Sequence, residues 1–517
     1  MNMSQSPVTT IALLGAITLP AIASYPQDPI EDPNPNSEVI QLDRLDLTID
    51  EAIGLAVQSN PALQQAEVAA EIAEYDALGS WGDFEWVFDS SVTYTDSTAE
   101  SRSAFGGGIG TEFTSETYNG SMAFSRPLTT GGSFRADFRP SYSEGDNAVF
   151  ATSAWDDTLS FNYKQPLLRG AWNEAATSTQ RELELSRQKL YEGKRSQRQA
   201  LVTNVENTYW DLVASRELRE VADSSLQLGQ RQISREQTKL DAGVGTEVEV
   251  IQAQAVVAQR REVLLQRETT VRQAGDDLKV LIYGPAELQD PKLWETVLEP
   301  ITQLPETNLD DLPEWAQAID LALSMRSDLR QQRTEIEIAK VRHKRSLSDQ
   351  KSLLDLDLNA SSAGFDGTST GRMLDETGRF DFPTYSASLT YSTPLGNARA
   401  SNAERSARAR IRQANLIYDE LQTTIAADVR RALRDVRYRA LAVEAAQTSL
   451  FFATRQLEAE EAKYDEGLST LFQVFEFQQA KIESQSSLRS AFVEYAKARV
   501  ALRSGQGITG EAHTAGQ

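Results

Sequence analysis

Apolar residues recur every seven positions along two long stretches of the chain, and neither stretch contains a proline. The first runs from Asn173 to Asp241 and the second from Asn397 to Asp465. The repeating positions are Val205, Leu212, Leu226, Ile233 and Leu240, broken once by Arg219, and then Val429, Val436, Val443, Leu450, Leu457 and Tyr464. A sustained apolar heptad indicates helices in coiled-coil packing. At 1.5 Å per residue, each stretch predicts a helix of ~100 Å.

Both long helices are predicted to end in the same kind of turn. The motif Lys-x-Asp-x-Gly-x-x-Thr occurs at 239–246 and again, 224 positions later, at 463–470. Its glycines, Gly243 and Gly467, stand where a left-handed glycine commonly ends a helix. The segments that follow, at 247–283 and 471–503, predict shorter helices that return along the long ones.

These repeats predict an internally duplicated chain in which each half has the same order of elements. A first helix, starting at Thr48 or Trp315, precedes a strand-rich region and then a long helical hairpin. A proline-rich stretch joins the halves. The predicted organisation is a signal peptide at 1–23, a disordered tether at 24–47, a first repeat at 48–283, a linker at 284–313, a second repeat at 314–503 and a flexible tail at 504–517.

Apolar and polar residues alternate with a period of two between the first helix and the long helix of each half. In Phe134–Tyr142, for example, the polar positions are Arg135, Asp137 and Arg139. Similar segments lie at 88–94, 118–124, 159–164, 354–359 and 385–391. This alternation predicts β-strands with one apolar and one polar face, at about 84–166 and about 352–393.

An ordinary antiparallel sheet with one face in water would show the same alternation. A transmembrane β-barrel is favoured because the segments are roughly ten residues long, their polar faces carry charges, and tryptophans cluster at the strand ends. The long polar loops, at about 96–116, 143–156 and 361–384, are predicted at one end of the strands. Only the short turn Leu128–Gly132 is predicted at the helical end. Outer-membrane barrels have this asymmetry, with the longer loops outside.

The N-terminus and the composition narrow the compartment and the function. The apolar segment Val8–Ala23 ends in Ala-Ile-Ala and predicts a secretory signal peptide, although no Lys or Arg precedes it. No other segment has the ~18 consecutive apolar residues of a membrane-spanning helix. The net charge of −24 argues against nucleic acid as a partner. The chain has no cysteine and only two histidines, His343 and His513, which argues against a soft-metal or zinc site. No catalytic arrangement or phosphate-binding loop is present, so we expect no enzyme activity and no cofactor.

Three short motifs carry a family resemblance: YDEGLST at 464–470 followed by Val474, QPLLRG at 165–170, and TPLG at 393–396. With the signal peptide, the duplication and the long helices, they resemble the TolC-like outer-membrane efflux protein family. The resemblance implies an α+β membrane protein, a homotrimer whose transmembrane β-barrel is continuous with a long periplasmic α-helical coiled-coil barrel. It also implies a location in the outer membrane of a Gram-negative type envelope, in contact with its lipid, with a large periplasmic portion.

The function implied by the resemblance is that of an exit duct. Such a duct belongs to a tripartite efflux or type I secretion system and passively conducts substrates to the exterior. Its implied partners are a periplasmic adaptor (membrane fusion) protein and an inner-membrane transporter that supplies the energy. A structural trimeric coiled-coil spacer or adhesin stalk is the main alternative. A periplasmic adaptor is a weaker one, because its flanking β-domains have no counterpart in the sequence.

The resemblance also implies two sets of site residues at the periplasmic tip. A narrow entrance would be lined by Glu249, Glu476, Gln473 and Tyr464, where Tyr464 matches the family's tyrosine and Gln473 stands where the family has an acid. The adaptor would dock on the hairpin tips, at Gly243, Thr246, Gly467, Leu468, Ser469 and Thr470. Ser469 departs from a family arginine. Ordinary solvated glutamates are the alternative for the two acidic positions.

The first half has additional length among its strands. Glu51–Ala56 matches Gln317–Ala322 at a shift of 266, whereas the helix tips match at a shift of 224, so the first half has 42 more residues. This excess predicts a further strand pair, Tyr118–Arg126 and Ser133–Tyr142. The family's usual protomer supplies four strands, and six would give eighteen in a trimer. An external hairpin folded over the rim is the alternative.

Overall fold

The computed structural model describes residues 44–100, 112–145, 153–309, 312–367 and 369–509. The expected signal peptide and most of the expected tether lie outside these ranges. The described helices are α1 (Ile49–Ser59), α2 (Pro61–Gly79), α3 (Asn173–Ala176), α4 (Ser178–Asp241), α5 (Glu247–Ile282), α6 (Pro291–Glu295), α7 (Trp315–Met325), α8 (Ser327–Asp349), α9 (Thr370–Arg379), α10 (Ala398–Asp465) and α11 (Leu471–Gln506). The described strands are β1 (Arg44–Leu47), β2 (Val87–Glu100), β3 (Glu112–Pro127), β4 (Ser133–Gly145), β5 (Ser153–Pro166), β6 (Val297–Pro300), β7 (Leu353–Asp366) and β8 (Pro383–Ser392).

Two helices, α4 and α10, are much longer than the others in the described part of the chain. They contain 64 and 68 residues, so each is about 100 Å long. The returning helices α5 and α11 contain 36 residues each. The first long helix does not start at Asn173 as expected, because Thr177 has non-helical φ and ψ of −100° and 18° and separates α3 from α4.

The shorter helices α1, α2, α7 and α8 pack beside the long ones. A break at Asn60 divides α1 from α2, because a residue before proline disfavours the helical conformation. The Asn60 side chain then caps α2, accepting hydrogen bonds from the amides of Ala62 and Leu63 at 3.0 and 3.4 Å. A second break, at Arg326, divides α7 from α8 in the other half.

The heptad positions of α10 and α4 differ in burial. On α10 all of them except the half-buried Leu450 are buried, with Val429 and Val436 fully covered and Leu457 at 4% exposure. On α4 the upper positions Val205 and Leu212 are buried, but Leu226, Ile233 and Leu240 near the tip are only half-buried. The buried stripe there has moved to neighbouring positions: Ala222, Ser225, Gly229, Gln232 and Glu236. Polar side chains therefore occupy the contact between the two hairpins near their tips.

Six strands form a single antiparallel sheet in the order β2-β3-β4-β5-β7-β8. The additional strand pair belongs to this sheet, since β3 pairs with β2 and β4 pairs with β5. The alternative of a separate external hairpin is wrong for this structure. The strands are also longer than expected, because β2 continues to Glu100 and β4 to Gly145, into the loops predicted at about 96–116 and 143–156. Residues 101–111 and 146–152 of these predicted loops lie outside the described ranges.

The two faces of the sheet differ in character. The apolar face includes Phe88, Phe124, Phe138, Leu159 and Leu356, which the strand registers place on one side. The polar face carries the ion pairs of Asp137 with Arg135 (3.5 Å) and Arg139 (3.1 Å), and of Lys164 with Asp355 (2.9 Å). On the inner strand β3, Ala123 of the polar face is 1% exposed, whereas its neighbours Met122 and Phe124 on the apolar face are 51% and 53% exposed.

Four segments depart from the sequence predictions. The expected tether at 24–47 contains β1 at its end, and the expected linker at 284–313 contains α6 and β6, where β6 pairs in parallel with β1. The expected tail is helical as far as Gln506, and Thr509 is buried. The expected loop at 361–384 contains α9, whose Thr377 hydroxyl donates a hydrogen bond to the buried Asp157.

Candidate functional site at the hairpin tips

Each long hairpin reverses its direction through a glycine in the left-handed conformation. Gly243 has a φ of 77° and Gly467 a φ of 73°, as the motif predicted. The next residues close the helix ends, because the Val244 amide donates to the Lys239 carbonyl at 3.0 Å and the Leu468 amide to the Lys463 carbonyl at 2.8 Å. The tips therefore have the same backbone geometry in both hairpins.

Threonine then begins both returning helices. Thr246 and Glu249 form a reciprocal capping box, in which the Thr246 amide donates to the Glu249 carboxylate at 2.9 Å. Thr470 accepts a hydrogen bond from the Gln473 amide at 3.4 Å. Glu249 was predicted as an entrance residue, and in the structure its carboxylate caps the start of α5.

Tyr464 joins the two hairpins. Its side chain is 7% exposed, and its hydroxyl donates to Oε2 of the buried Glu236 on α4 at 2.8 Å. The Lys239 ammonium lies 3.8 Å from the centre of the tyrosine ring. Beside it, Arg235 of α4 forms an ion pair with Asp465 of α10. We refer to Arg235, Glu236, Lys239, Tyr464 and Asp465 as the tip network.

The tip network holds Tyr464 in its neutral form. Burial raises the pKa of Tyr464 above its ordinary value, and the hydrogen bond to Glu236 raises it further. The charge of Glu249 contributes to the same rise in pKa. The hydrogen bond between Tyr464 and Glu236 therefore links α10 to α4.

The second hairpin has an internal polar cluster at its tip. The Ser469 hydroxyl lies 2.5 Å from Oε1 of Glu460 and 2.8 Å from Oε1 of Gln473. Lys463 pairs with Glu460 at 3.1 Å. The hydrogen bond from Ser469, followed by the contact with Lys463, lowers the pKa of Glu460. Both polar contacts of the Ser469 hydroxyl are therefore with residues of its own hairpin.

Sequence reasoning missed Glu236 and Glu460 as tip residues. A signal was available, because each glutamate lies seven residues before the turn glycine and three before a lysine in its own copy of the repeat. Both occupy buried positions that a heptad search restricted to apolar residues does not include. In the described ranges, no group of three or more His, Cys, Asp or Glu side chains is arranged to hold a metal ion.

Glu476 lies apart from these clusters, exposed on the second turn of α11. It lines a groove of about 740 Å³ that runs between α5 and α11 over α4. Arg260, at the side of this groove, donates to the Ser225 carbonyl at 3.0 Å and to Oε1 of Gln478 at 2.9 Å. Desolvation lowers the pKa of this buried arginine. Arg260 therefore forms a second polar link between the hairpins, above the tip network.

Residues 133–282 match the family model of the outer membrane efflux protein. The resemblance to outer-membrane efflux proteins is confirmed. The match extends from β4 to the end of α5 and agrees with the predicted outer-membrane location. In the described part of the chain, no helix is both long enough and apolar enough to span a membrane. No curated protein matches the sequence.

Several solved outer-membrane channels have a similar fold at low sequence identity. The channel OprN has a TM-score of 0.64 at 14% identity, covering 89% of both chains. VceC from Vibrio cholerae has a TM-score of 0.63 at 16% identity, covering 89% of this chain and 96% of its own. The channel CmeC from Campylobacter jejuni has a TM-score of 0.64 at 15% identity, covering 89% and 86%. These values establish a shared fold over most of the chain.

Proposed function

We propose that this protein is the outer-membrane exit duct of a tripartite efflux or type I secretion system. It passively conducts substrates that an inner-membrane transporter delivers, and it carries out no catalysis itself. The observation that supports this most is the continuity of one chain from a two-faced antiparallel sheet into helices of about 100 Å. A sheet of this kind suits the membrane, and helices of that length suit the periplasm.

The two faces of the sheet support a lipid-facing and a lumen-facing side. Aromatic rings form a row across four strands, toward the end of the sheet far from the helices. The centroids of successive rings in this row are 4.5–6.2 Å apart, in the order Tyr94, Tyr118, Tyr142 and Trp155. A second aromatic contact, Phe88 with Phe124 at 4.7 Å, lies six residues nearer the helices. That separation is ~20 Å along the strand. Aromatic girdles bound an apolar band of ~25 Å in outer-membrane barrels.

Exposed apolar side chains support assembly into a homotrimer. Outward-facing positions on the helices include Ile72 and Tyr75 of α2, and Tyr438, Phe451 and Phe452 of α10, each more than half exposed in the single chain. Large apolar surfaces that lie open on one chain commonly mark contacts with other chains. Three copies would cover these surfaces and surround a central tunnel.

The tips support an entrance and a docking surface. We propose that Tyr464, Glu249, Gln473 and Glu476 line the periplasmic entrance, where carboxylates would favour cations. The adaptor would dock on the turns themselves, at Gly243, Thr246, Gly467, Leu468, Ser469 and Thr470. Leu468 is 79% exposed, and Val244 in the first turn is 80% exposed, so each hairpin ends in an uncovered apolar side chain.

The proposed division of the chain follows the sequence prediction. Residues 1–23 are a signal peptide, 48–283 and 314–503 are two copies of one repeat, and 284–313 connect them. Outer-membrane lipid surrounds the sheet, and the periplasmic adaptor links the tips to the transporter.

A fractionation experiment tests this proposal. We expect the protein in the outer-membrane fraction, as a trimer that migrates differently in denaturing gels before and after boiling. Its circular-dichroism spectrum should combine helix and strand. A soluble or peripherally bound trimer with a purely helical spectrum would instead support the alternative of an envelope spacer or adhesin stalk.

A further inference from the structure

The six-stranded sheet has two edges without a partner strand. All 14 residues of β2 and all 10 residues of β8 are exposed. Long, exposed edge strands are templates for pairing with another chain. The sheet contains an even number of strands, so β2 and β8 run in opposite directions. A β8 strand placed beside β2 of another copy would therefore pair in the antiparallel sense, like every other pair in this sheet.

The trimeric barrel that the family resemblance implies requires β8 of one protomer to pair with β2 of the next. We infer the register of that contact, with Tyr385 opposite Tyr94 and Tyr391 opposite Phe88. Three six-stranded sheets joined in this way close one barrel of eighteen strands. This inference rests on the proposed function, which places the sheet in the membrane of a trimer, and it specifies the contact that closes the barrel.

The two faces restrict the register to every second residue. Phe88, Val92 and Tyr94 of β2 lie on the apolar face, as do Tyr385 and Tyr391 of β8 through their pairing with Ala360 and Leu354. A slip of one residue would turn the apolar side of one strand toward the polar side of the other. The allowed registers therefore differ by two residues.

Aromatic pairing favours one of these registers. Within the same protomer, Phe88 and Tyr94 of β2 already pair with aromatic residues of β3, with ring centroids 4.7 Å apart for Phe88 and Phe124 and 4.8 Å apart for Tyr94 and Tyr118. The tyrosines of β8 have the same six-residue spacing as Phe88 and Tyr94. The inferred register puts an aromatic residue opposite both, and cross-strand aromatic pairs stabilise sheets.

Strand tilt gives an independent restriction. A row of directly paired residues crosses the sheet through Phe88, Phe124, Ala136, Phe161, Ala360 and Tyr385. If Tyr385 pairs with Tyr94 of the next copy, a row that starts at Phe88 of one β2 reaches the next β2 six residues further along, after crossing six strands. That is ~20 Å along the strands for ~29 Å across them, a tilt of ~35°. Outer-membrane barrels have tilts of ~35–45°.

The two neighbouring registers each fail either the strand-tilt condition or the aromatic-pairing condition. Pairing Tyr385 with Val92 lowers the tilt to ~25°, which is below that range. Pairing Tyr385 with Asp96 gives a tilt of ~43°, but it leaves Tyr391 opposite Ser90 and loses both aromatic pairs. Only the inferred register satisfies both. An eighteen-stranded barrel has room for a water-filled passage.

Cysteine cross-linking in this cysteine-free chain tests the inference. Ser91→Cys and Ser388→Cys on the polar faces would be directly opposite across the seam, with Cβ atoms ~4.5–5.5 Å apart. With a short thiol cross-linker, the double variant should form covalent trimers at least tenfold faster than Ser91→Cys combined with Thr384→Cys. The single variants, which should form none, show whether each substitution permits assembly.

Two further pairs examine the register. Ser91→Cys with Ser386→Cys, or with Thr390→Cys, would be opposite in the two rejected registers, and faster linking of either would overturn the inferred one. Absence of linking in all four pairs, in trimers that still conduct ions, would overturn the seam and leave the proposed function standing. Absence of trimers in the unmodified protein would overturn the proposed function itself.

Discussion

Replacing Phe138 with arginine tests which face of the sheet meets lipid. Phe138 lies on β4 opposite Met122 and Leu159, within the apolar face. Phe134 and Tyr142, the neighbouring aromatic residues on the same face of β4, are each four residues away, so Phe138 lies in the middle part of the apolar face. Arginine on the lipid side costs ~2–4 kcal/mol at the midplane and ~0–1 kcal/mol near the interfaces. Because the position is central and a trimer carries three copies, we expect ~6–12 kcal/mol per trimer.

The assay measures heat-resistant trimers in the outer-membrane fraction. Phe138→Arg should reduce their amount severely, while Asn119→Arg, at an exposed position of the polar face of β3, should leave it close to normal. Asp137→Arg is a poor control, because its carboxylate pairs with Arg135 and Arg139 and the change would gather three guanidinium groups. Normal trimers from Phe138→Arg, or equal losses in both variants, would refute the assignment of the two faces.

Three other predictions concern the tips. Tyr464→Phe removes the hydrogen bond to the buried Glu236 and should lower stability by ~1–3 kcal/mol in thermal unfolding at neutral pH. The pKa of Tyr464 is raised in the folded protein, so the stability contributed by its hydroxyl group is complete below pH ~10 and is lost as the pH rises above that value. The free energy of unfolding should therefore fall less at alkaline pH in the variant than in the wild type. Gly467→Ala should cost ~1 kcal/mol because φ is 73°, with a lowered melting temperature as the measurement; no change would mean that the turn tolerates a side chain. Glu249→Gln with Glu476→Gln keeps the capping geometry, removes both charges and should weaken cation preference; an unchanged reversal potential would exclude these residues from the entrance.

Much of the fold could be predicted because its signals are periodic. The heptads and the repeated turn motif predicted both hairpins, and the period-two segments predicted the strands. The tip network was harder to predict. Its buried members near the end of α4 are polar, and Glu236 looks like a solvated residue until Tyr464 from a position 228 residues away is placed beside it. Only tertiary contact reveals that pairing.

Short polar elements were also missed, for a related reason. α9 contains only 10 residues and is held by a hydroxyl contact between Thr377 and Asp157. Gly364 permits this docking, because a Cβ there would lie 2.4 Å from the Met373 carbonyl. With ten residues and only two large apolar side chains, Met373 and Leu374, this helix is too short for its hydrophobic repeat to be recognised in the sequence. The breaks at Thr177 and Arg326 have no proline to signal them, whereas the break at Asn60 does.

Single-channel recording of the purified trimer in a planar lipid bilayer tests the central claim most directly. The proposed duct predicts stepwise, long-lived current increments that are cation-selective, because Glu249 and Glu476 would converge at the entrance. It also predicts that Tyr464→Phe opens more often, since the link between the hairpins is weakened. Folded, membrane-inserted trimers that give no current steps would contradict the account.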